Sequence, residues 1–265
     1  MTAPLFHLPA GGLTDRACGD LVVLDGPEGH HASTVTRLQV GEVVLCADGS
    51  GLLAEAVVDS VGRGELTVRV VTIREAIPPA PRLVLAQALV KDGRDERAVE
   101  AATELGADEI VPWQAQRCVV RWRGPRGEKA RAKWAAVADA AAKQARRATV
   151  PTVPRAVDSA SLARRVQDCV VAGGLAVVLH EEADVPLAGL PLERAWRLPE
   201  ILLIIGPEGG LAPEELDVLV AAGAAPVRLG SEILRAGTAG AAALAVCLAA
   251  TRWRGEPPPV DCLAT

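Results

Sequence analysis

Aromatic residues are nearly absent from this chain. Its 265 residues hold five Trp, one Phe and no Tyr, 2% in all. The core must therefore be built from Ala, Val, Leu and Ile, and a nucleic-acid surface of stacked aromatic platforms is all but excluded. Metal and redox motifs are missing too. The six cysteines, Cys18, Cys46, Cys118, Cys169, Cys247 and Cys262, form no CxxC and no Cys/His cluster. They spell neither a zinc site nor a redox pair, and no metal is expected. No signal-peptide start is present, so the thiols read as buried and reduced in a cytoplasmic protein. No apolar run approaches the roughly 20 residues of a membrane span. The longest, Ala239 to Thr251, reads as a buried helix of a soluble protein. A net charge of −5 gives no global signal for a polyanion partner. Neither a P-loop nor a GxGxxG fingerprint occurs.

What is present falls into two patterns. Up to about residue 75, short β-rich runs (Asp20–Asp25, Glu42–Ala47, Glu65–Val71) alternate with Gly26-Pro27, Asp48-Gly49 and Gly62-Arg63-Gly64. That spacing predicts a small β-barrel. Ile77-Pro78-Pro79-Ala80-Pro81 resists helix and sheet alike and is taken as the domain boundary. Beyond it, predicted strands at Leu83–Ala88, Glu109–Pro112, Leu175–His180, Ile201–Ile205 and Pro226–Leu229 alternate with helices. The helices are Asp95–Leu105, stopped by Gly106, then about Arg126 to Ala148, Pro213–Ala222 and about Thr238 to Thr251. Alternation of this kind predicts an α/β domain with a mostly parallel sheet. The Pro257-Pro258-Pro259 tail reads as loose.

Charge is unevenly spread. Between Arg117 and Arg147 lie ten basic residues and two acids, a local net charge of +8, whereas residues 1–76 carry ten acids against five Arg. On a helix, Arg126, Lys129, Lys133, Lys143 and Arg147 fall within a stripe of about 100°. The Ala-rich face Val137, Ala138, Ala141, Ala142, Ala145 lies opposite. A solvated helix face and a phosphate-binding ridge both fit this pattern.

Two loops carry most of the information. Ile204-Ile205-Gly206-Pro207-Glu208-Gly209-Gly210 leaves an apolar strand, and Leu229-Gly230-Ser231-Glu232-Ile233-Leu234-Arg235-Ala236-Gly237-Thr238-Ala239 leaves another, with Thr238 placed to cap the next helix. A glycine-rich strand–helix loop alone fits a tight connection or a close approach by a ligand. Two at the carboxyl ends of strands in one sheet should line one crevice.

With these loops the sequence resembles the SPOUT superfamily of trefoil-knotted methyltransferases, and within it the ribosomal RNA small subunit methyltransferase E family. The resemblance runs through His31 to Gly41, Lys91 to Pro112 with Glu104-Leu105-Gly106, Arg117, Ala142 to Arg147, Leu179-His180-Glu181 and both glycine loops. It implies an N-terminal PUA-like β-barrel (1–76), a knotted SPOUT domain (77–254) and a homodimer. The knot is accepted through the family alone, against the usual rule. The resemblance also implies S-adenosylmethionine as methyl donor and N3 of one uridine of 16S rRNA, in the small ribosomal subunit, as acceptor. The cofactor would rest on Leu179, His180, Glu181, Gly206, Pro207, Glu208, Gly209, Gly210, Leu229, Gly230, Ile233, Leu234, Arg235, Thr238 and Ala239. RNA contacts would come from Arg37, Lys91, Arg117, Arg121, Lys143, Arg146 and Arg147.

The chemistry of the residues is compatible. Backbone groups can read adenine only where side chains are small, as at Gly206, Gly209, Gly210 and Gly230, and Ile233 and Leu234 would be apolar walls. Methylating uracil N3 needs its proton removed, which suits Glu208 as base, and an anion stabilised, which suits Arg235. Glu208 also fits a loop-bracing bond, and Arg235 a salt bridge or phosphate contact. Two departures stand out. The family's Glu before Thr-Ala is Gly237 here, so no carboxylate role is carried over. The start Pro4-Leu5-Phe6-His7-Leu8 also lacks the Arg expected beside Phe6. His30 and His31, read as strand neighbours, suit packing or RNA contact. His180 suits bracing a loop, and Trp113, Trp122 and Trp134 suit the core. The competing functions are ribose 2′-O-methylation and a non-catalytic ribosome-assembly role.

Overall fold

The computed structural model describes residues 3–76, 80–91 and 93–254. The 255–265 tail and Cys262 lie outside them, as does part of the Ile77–Pro81 boundary. The chain forms two compact units, Met1–Pro78 with Ala135–Thr152, and Pro79–Trp134 with Val153–Thr265.

The first unit contains β1 (Leu5–His7), β2 (Leu21–Leu24), the short helix α1 (Gly26–His30), β3 (Val43–Ala47), β4 (Leu52–Val61) and β5 (Leu66–Glu75). Its sheet runs β1-β3-β4-β5-β2, antiparallel except for the β1/β3 pair. Alternation puts Val44, Cys46, Ala54, Ala56, Val58, Leu66, Val68 and Val70 on one face, where they enclose Phe6 and Leu13. Register shifts at Glu55/Ala56 and Val58/Ser60 bend β4 and curl the sheet. The edge strands β1 and β2 do not pair, so the expected barrel is an open half-barrel. His30 and His31 are not on a strand. They sit where α1 runs into a π-turn at His31–Val35, and the His31 ring lies 6.0 Å from Phe6.

Residues 135–152 belong to this unit although they fall inside the second one in chain order. Lys143 pairs with Glu28, and His7 Nε2 donates to the Arg147 carbonyl at 3.1 Å. His7 Nδ1 also lies 3.5 Å from Asp139, whose carboxyl the nearby imidazole holds below the ordinary range. The Cys46 thiol is pushed up to about 12 by burial and by Glu28.

The second unit is α/β. It comprises β6 (Arg82–Ala88), α2 (Arg94–Glu104), β7 (Glu109–Gln114), α3 (Gly124–Gln144, to Trp134 in this unit), β8 (Val157–Asp158), α4 (Ser159–Val171), β9 (Leu175–Leu179), β10 (Glu200–Ile205), α5 (Pro213–Ala221), β11 (Ala225–Val227) and α6 (Ala236–Ala250). Six parallel strands lie in the order β11-β9-β10-β6-β7-β8. Covered on both faces, β6, β9 and β10 read as apolar runs, which is why the sequence displays them clearly. Helix α2 ends as expected on Gly106 (φ +100°): Gly106 N–H donates to Thr103 and Ala107 N–H to Ala102, a Schellman closure. Helix α3 stops at Gln144 rather than Ala148, where Arg146 turns to φ +55°, so Arg147 is not on the helical stripe. Thr238 does not cap α6; the extended residue before the helix is Arg235, and Thr238 lies within the first turn. Helix α4, absent from the sequence reading, is capped by Asp158 on the Ser161 amide.

At the amino ends of the central strands, Arg82 bridges Glu109 and Glu200, and Arg165 adds a second contact to Glu200 at 2.6 Å. Burial opposes the charge on Glu200, but Arg165 and Arg82 outweigh it and hold its carboxyl below the ordinary 4.5. A depressed carboxylate stabilises the fold above its unfolded value, and that contribution is lost as pH falls through the folded one. Thermal midpoints should drop as pH is lowered below about 4.5, and Glu200→Gln should flatten the drop. A Glu200→Gln profile parallel to wild type would refute this assignment.

Candidate functional site

Strands β11, β9 and β10 are adjacent, and the chain reverses across the sheet between them, so the loops leaving their carboxyl ends diverge around a crevice. A cavity of about 470 Å³ opens there, within the range of small-molecule sites. Leu179, His180 and Glu181 enter it from β9, and Gly206, Pro207, Glu208 and Gly210 from β10. Leu229, Gly230, Ile233, Leu234 and Arg235 enter it after β11, and Ala239 from α6. Two expected residues are not on its wall. Gly209 turns its carbonyl to Arg117 Nη1 at 3.2 Å, and Thr238 is exposed on α6.

Close packing explains Gly206, and a left-handed turn explains Gly210. A Cβ on Gly206 would come within 3.0 Å of Leu211 Cδ2, and Gly210 has φ +70°. A Cβ on Gly230 would sit 3.4 Å from Glu232 Oε2. Backbone therefore forms much of the wall, while the charged side chains are Glu181, Glu208 and Glu232 against Arg228 and Arg235. Carboxylates suit a ligand's cationic groups and guanidinium a carboxylate, so this mixed lining fits a zwitterionic ligand with an apolar body.

Hydrogen bonds brace the loops. Arg228 Nη1 donates to the carbonyls of Ala183 and Asp184 at 2.7 and 2.6 Å, tying the β9 loop to the end of β11. His180 Nδ1 accepts from the Glu182 amide at 3.3 Å, bracing its own loop. Buried Glu215 accepts from the Gln116 amide at 2.7 Å and from the Ser159 hydroxyl, fixing the segment that carries Arg117. Glu208 meets Arg94 Nη1 at 3.5 Å.

The sequence reading did not single out Arg94 or Arg228. Each left a signal. Arg228 is a charge directly between an apolar strand and a glycine loop. Arg94 is a cation in the first turn of a helix, where the macrodipole disfavours it without a counter-charge.

The basic residues divide between the units. Exposed Arg37 (φ +57°), half-buried Lys143 and Arg147, and exposed Arg146 are in the first; exposed Lys91, Arg117 and Arg121 are in the second. Several are engaged: Arg121 donates to the Gln116 carbonyl at 2.7 Å, and Lys143 pairs with Glu28. Lys133 of the stripe pairs with Glu96. Trp113 and Trp134 are core residues at 0% and 1% exposure, with half-buried Trp122 edge-on to Trp134 at 5.0 Å. Cys46, Cys118, Cys169 and Cys247 are buried and Cys18 is exposed, all as free thiols. Among the described residues no helix is long and apolar enough to cross a membrane, and no group of three or more His, Cys, Asp or Glu could hold a metal ion.

Comparison with known proteins finds an RNA methyltransferase domain matching residues 78–248 and an RNA methyltransferase PUA domain matching residues 24–71. The ribosomal RNA small subunit methyltransferase E of Mycobacterium bovis is 45% identical over 96% of this chain and 94% of its own. That of Bacillus subtilis is 30% identical over 82% and 85%. Among solved structures, a methyltransferase of Legionella pneumophila with the bound cofactor SAM superposes with a TM-score of 0.80 at 27% identity, over 95% of this chain and 99% of that one. The Neisseria gonorrhoeae ribosomal RNA small subunit methyltransferase E bound to S-adenosyl methionine shares the fold at a TM-score of 0.79 and 24% identity, over 94% and 98%.

Proposed function

The chain belongs to the ribosomal RNA small subunit methyltransferase E family, and on that premise we propose that it methylates N3 of one uridine in 16S rRNA of the small ribosomal subunit, with S-adenosylmethionine as donor. The observation that carries this reading is the glycine-walled cavity of about 470 Å³ at the ends of β9, β10 and β11. S-adenosylmethionine supplies a methyl group on a positively charged sulfur, open to in-line attack.

The chain's own residues do the rest. Gly206, Gly210, Gly230, Leu179, Pro207 and Leu229 offer backbone groups to the adenosine, with Gly209 holding the turn through Arg117. Ile233 and Leu234, exposed at the rim, are its apolar walls, and His180, Glu181, Thr238 and Ala239 complete the loops. Glu208 takes the proton that leaves N3, and the Arg235 guanidinium neutralises the uracil anion that remains. Proximity of acceptor and methyl group in one crevice supplies much of the remaining rate.

Residues 1–76 serve as the PUA-like RNA-binding part and 77–254 as the catalytic one. Arg37, Lys91, Arg117, Arg121, Lys143, Arg146 and Arg147 contact the phosphate backbone. We read the protein as a cytoplasmic homodimer. Its support is α6, which carries no charged residue and leaves Ala241, Ala242, Ala245 and Val246 half-exposed.

The test is transfer of label from S-adenosylmethionine to small ribosomal subunits lacking the modification, followed by nucleoside analysis. Label in 3-methyluridine is the expected result. Label on ribose would replace this reading with 2′-O-methylation. No label and no donor binding would leave an RNA-binding assembly protein.

A further inference from the structure

We propose that Arg94 is a positioning residue for Glu208, holding its carboxylate at the cavity rim in the orientation that takes the substrate proton. The proposal rests on the reading of Glu208 as base. Arg94 is the first residue of α2, where the helix's own positive end disfavours a cation, so an acid beside it is favourable. The two acids beside it are engaged elsewhere. Asp95 accepts from Trp134 Nε1 at 3.1 Å, and Glu96 pairs with Lys133. The partner Arg94 reaches is Glu208, 114 residues away, at 3.5 Å.

The backbone under this pair is fixed by the residue that departs from the family pattern. A Cβ on Gly237 would lie 3.0 Å from the Arg94 carbonyl and 3.5 Å from Arg94 Cβ. The bare Gly237 thus lets the first turns of α2 and α6 close on each other, and α2 against α6 is a major contact of this unit. Arg94 does not line the cavity, and Glu208, which does, is the group it can act through. The loop of Glu208 has glycine on its far side at 209 and 210, so few side-chain contacts of its own hold the carboxylate.

A double-mutant cycle tests this. Initial rates and donor affinity are measured for full-length wild type, Arg94→Met, Glu208→Gln, the pair together, Arg94→Lys and Gly237→Ala. Arg94→Met should lower kcat about tenfold with donor affinity and thermal midpoint unchanged. In the Glu208→Gln background the same change should cost nothing further. Arg94→Lys should recover most of the loss, because a single end-on contact asks for charge rather than for a fork. Gly237→Ala should share the Arg94→Met loss, again only while Glu208 is present. A loss that persists undiminished in the Glu208→Gln background overturns the proposal, as does a wild-type rate for Arg94→Met while Glu208→Gln is slow. A wild-type rate for Glu208→Gln overturns the base assignment itself and the positioning role with it.

Discussion

Glu208→Gln is expected to lower the rate of methyl transfer at least about 100-fold while leaving donor affinity within about threefold, since a well-placed general base contributes that much or more. The carboxamide keeps the shape of the side chain but cannot take a proton. The fold of its loop does not depend on the carboxylate, because Gly206 packs on Leu211 and Gly210 supplies the left-handed turn. A second signature separates a lost base from a distorted loop. Without Glu208 the proton must leave to hydroxide, so the residual rate should climb about tenfold per pH unit where the wild-type rate has levelled. Equal rates for variant and wild type across pH would remove Glu208 from the chemistry and leave only proximity and Arg235.

The cavity was legible in the sequence because its walls are backbone. Where side chains must be absent, glycine has to be written into the chain, and Gly206 and Gly210 are visible without any structure. The parallel strands were legible for a related reason: β6, β9 and β10 are buried on both faces and carry unbroken apolar runs. What remained hidden depends on partners far away in sequence. β1 is three residues long and exists through its parallel pairing with β3. β4 contains Ala54, Glu55 and Ala56, which read poorly as strand, yet pairing with β3 and β5 on either side makes it ten residues long. The Arg94–Glu208 pair spans 114 residues, and no local pattern names the acid a helix-start cation will find. Helix α4 is the exception, since its cap at Asp158 and buried Leu162, Val166 and Cys169 at helical spacing were present to be read.

The second large effect is on stability. Arg252→Ala should destabilise the second unit by about 3–5 kcal/mol, the cost of breaking a buried ion pair from one side. At about 2–4 °C per kcal/mol for a unit of this size, the thermal midpoint should fall by roughly 6–20 °C. Arg252 follows α6, and its side chain is only 7% exposed. It donates to the carbonyls of Gly106 at 2.9 Å and Pro81 at 2.6 Å and pairs with Asp108 at 2.5 Å. One side chain thereby ties the end of the last helix to the turn after α2 and to the amino end of β6. Asp108 also accepts the Leu83 amide at 2.8 Å, so the strain of losing its cation reaches the central strand. The alkyl stem packs as well, and Arg252→Met separates the two contributions by keeping the stem without the charge. Arg252→Met should remain strongly destabilised, and adding Asp108→Asn should recover part of the loss, because the uncompensated carboxylate is then gone. These contacts lie at the opposite ends of the strands from the cavity, so donor affinity of the folded variants should match wild type. A midpoint within 2 °C of wild type for Arg252→Ala would mean that solvent, rather than Arg252, compensates Asp108.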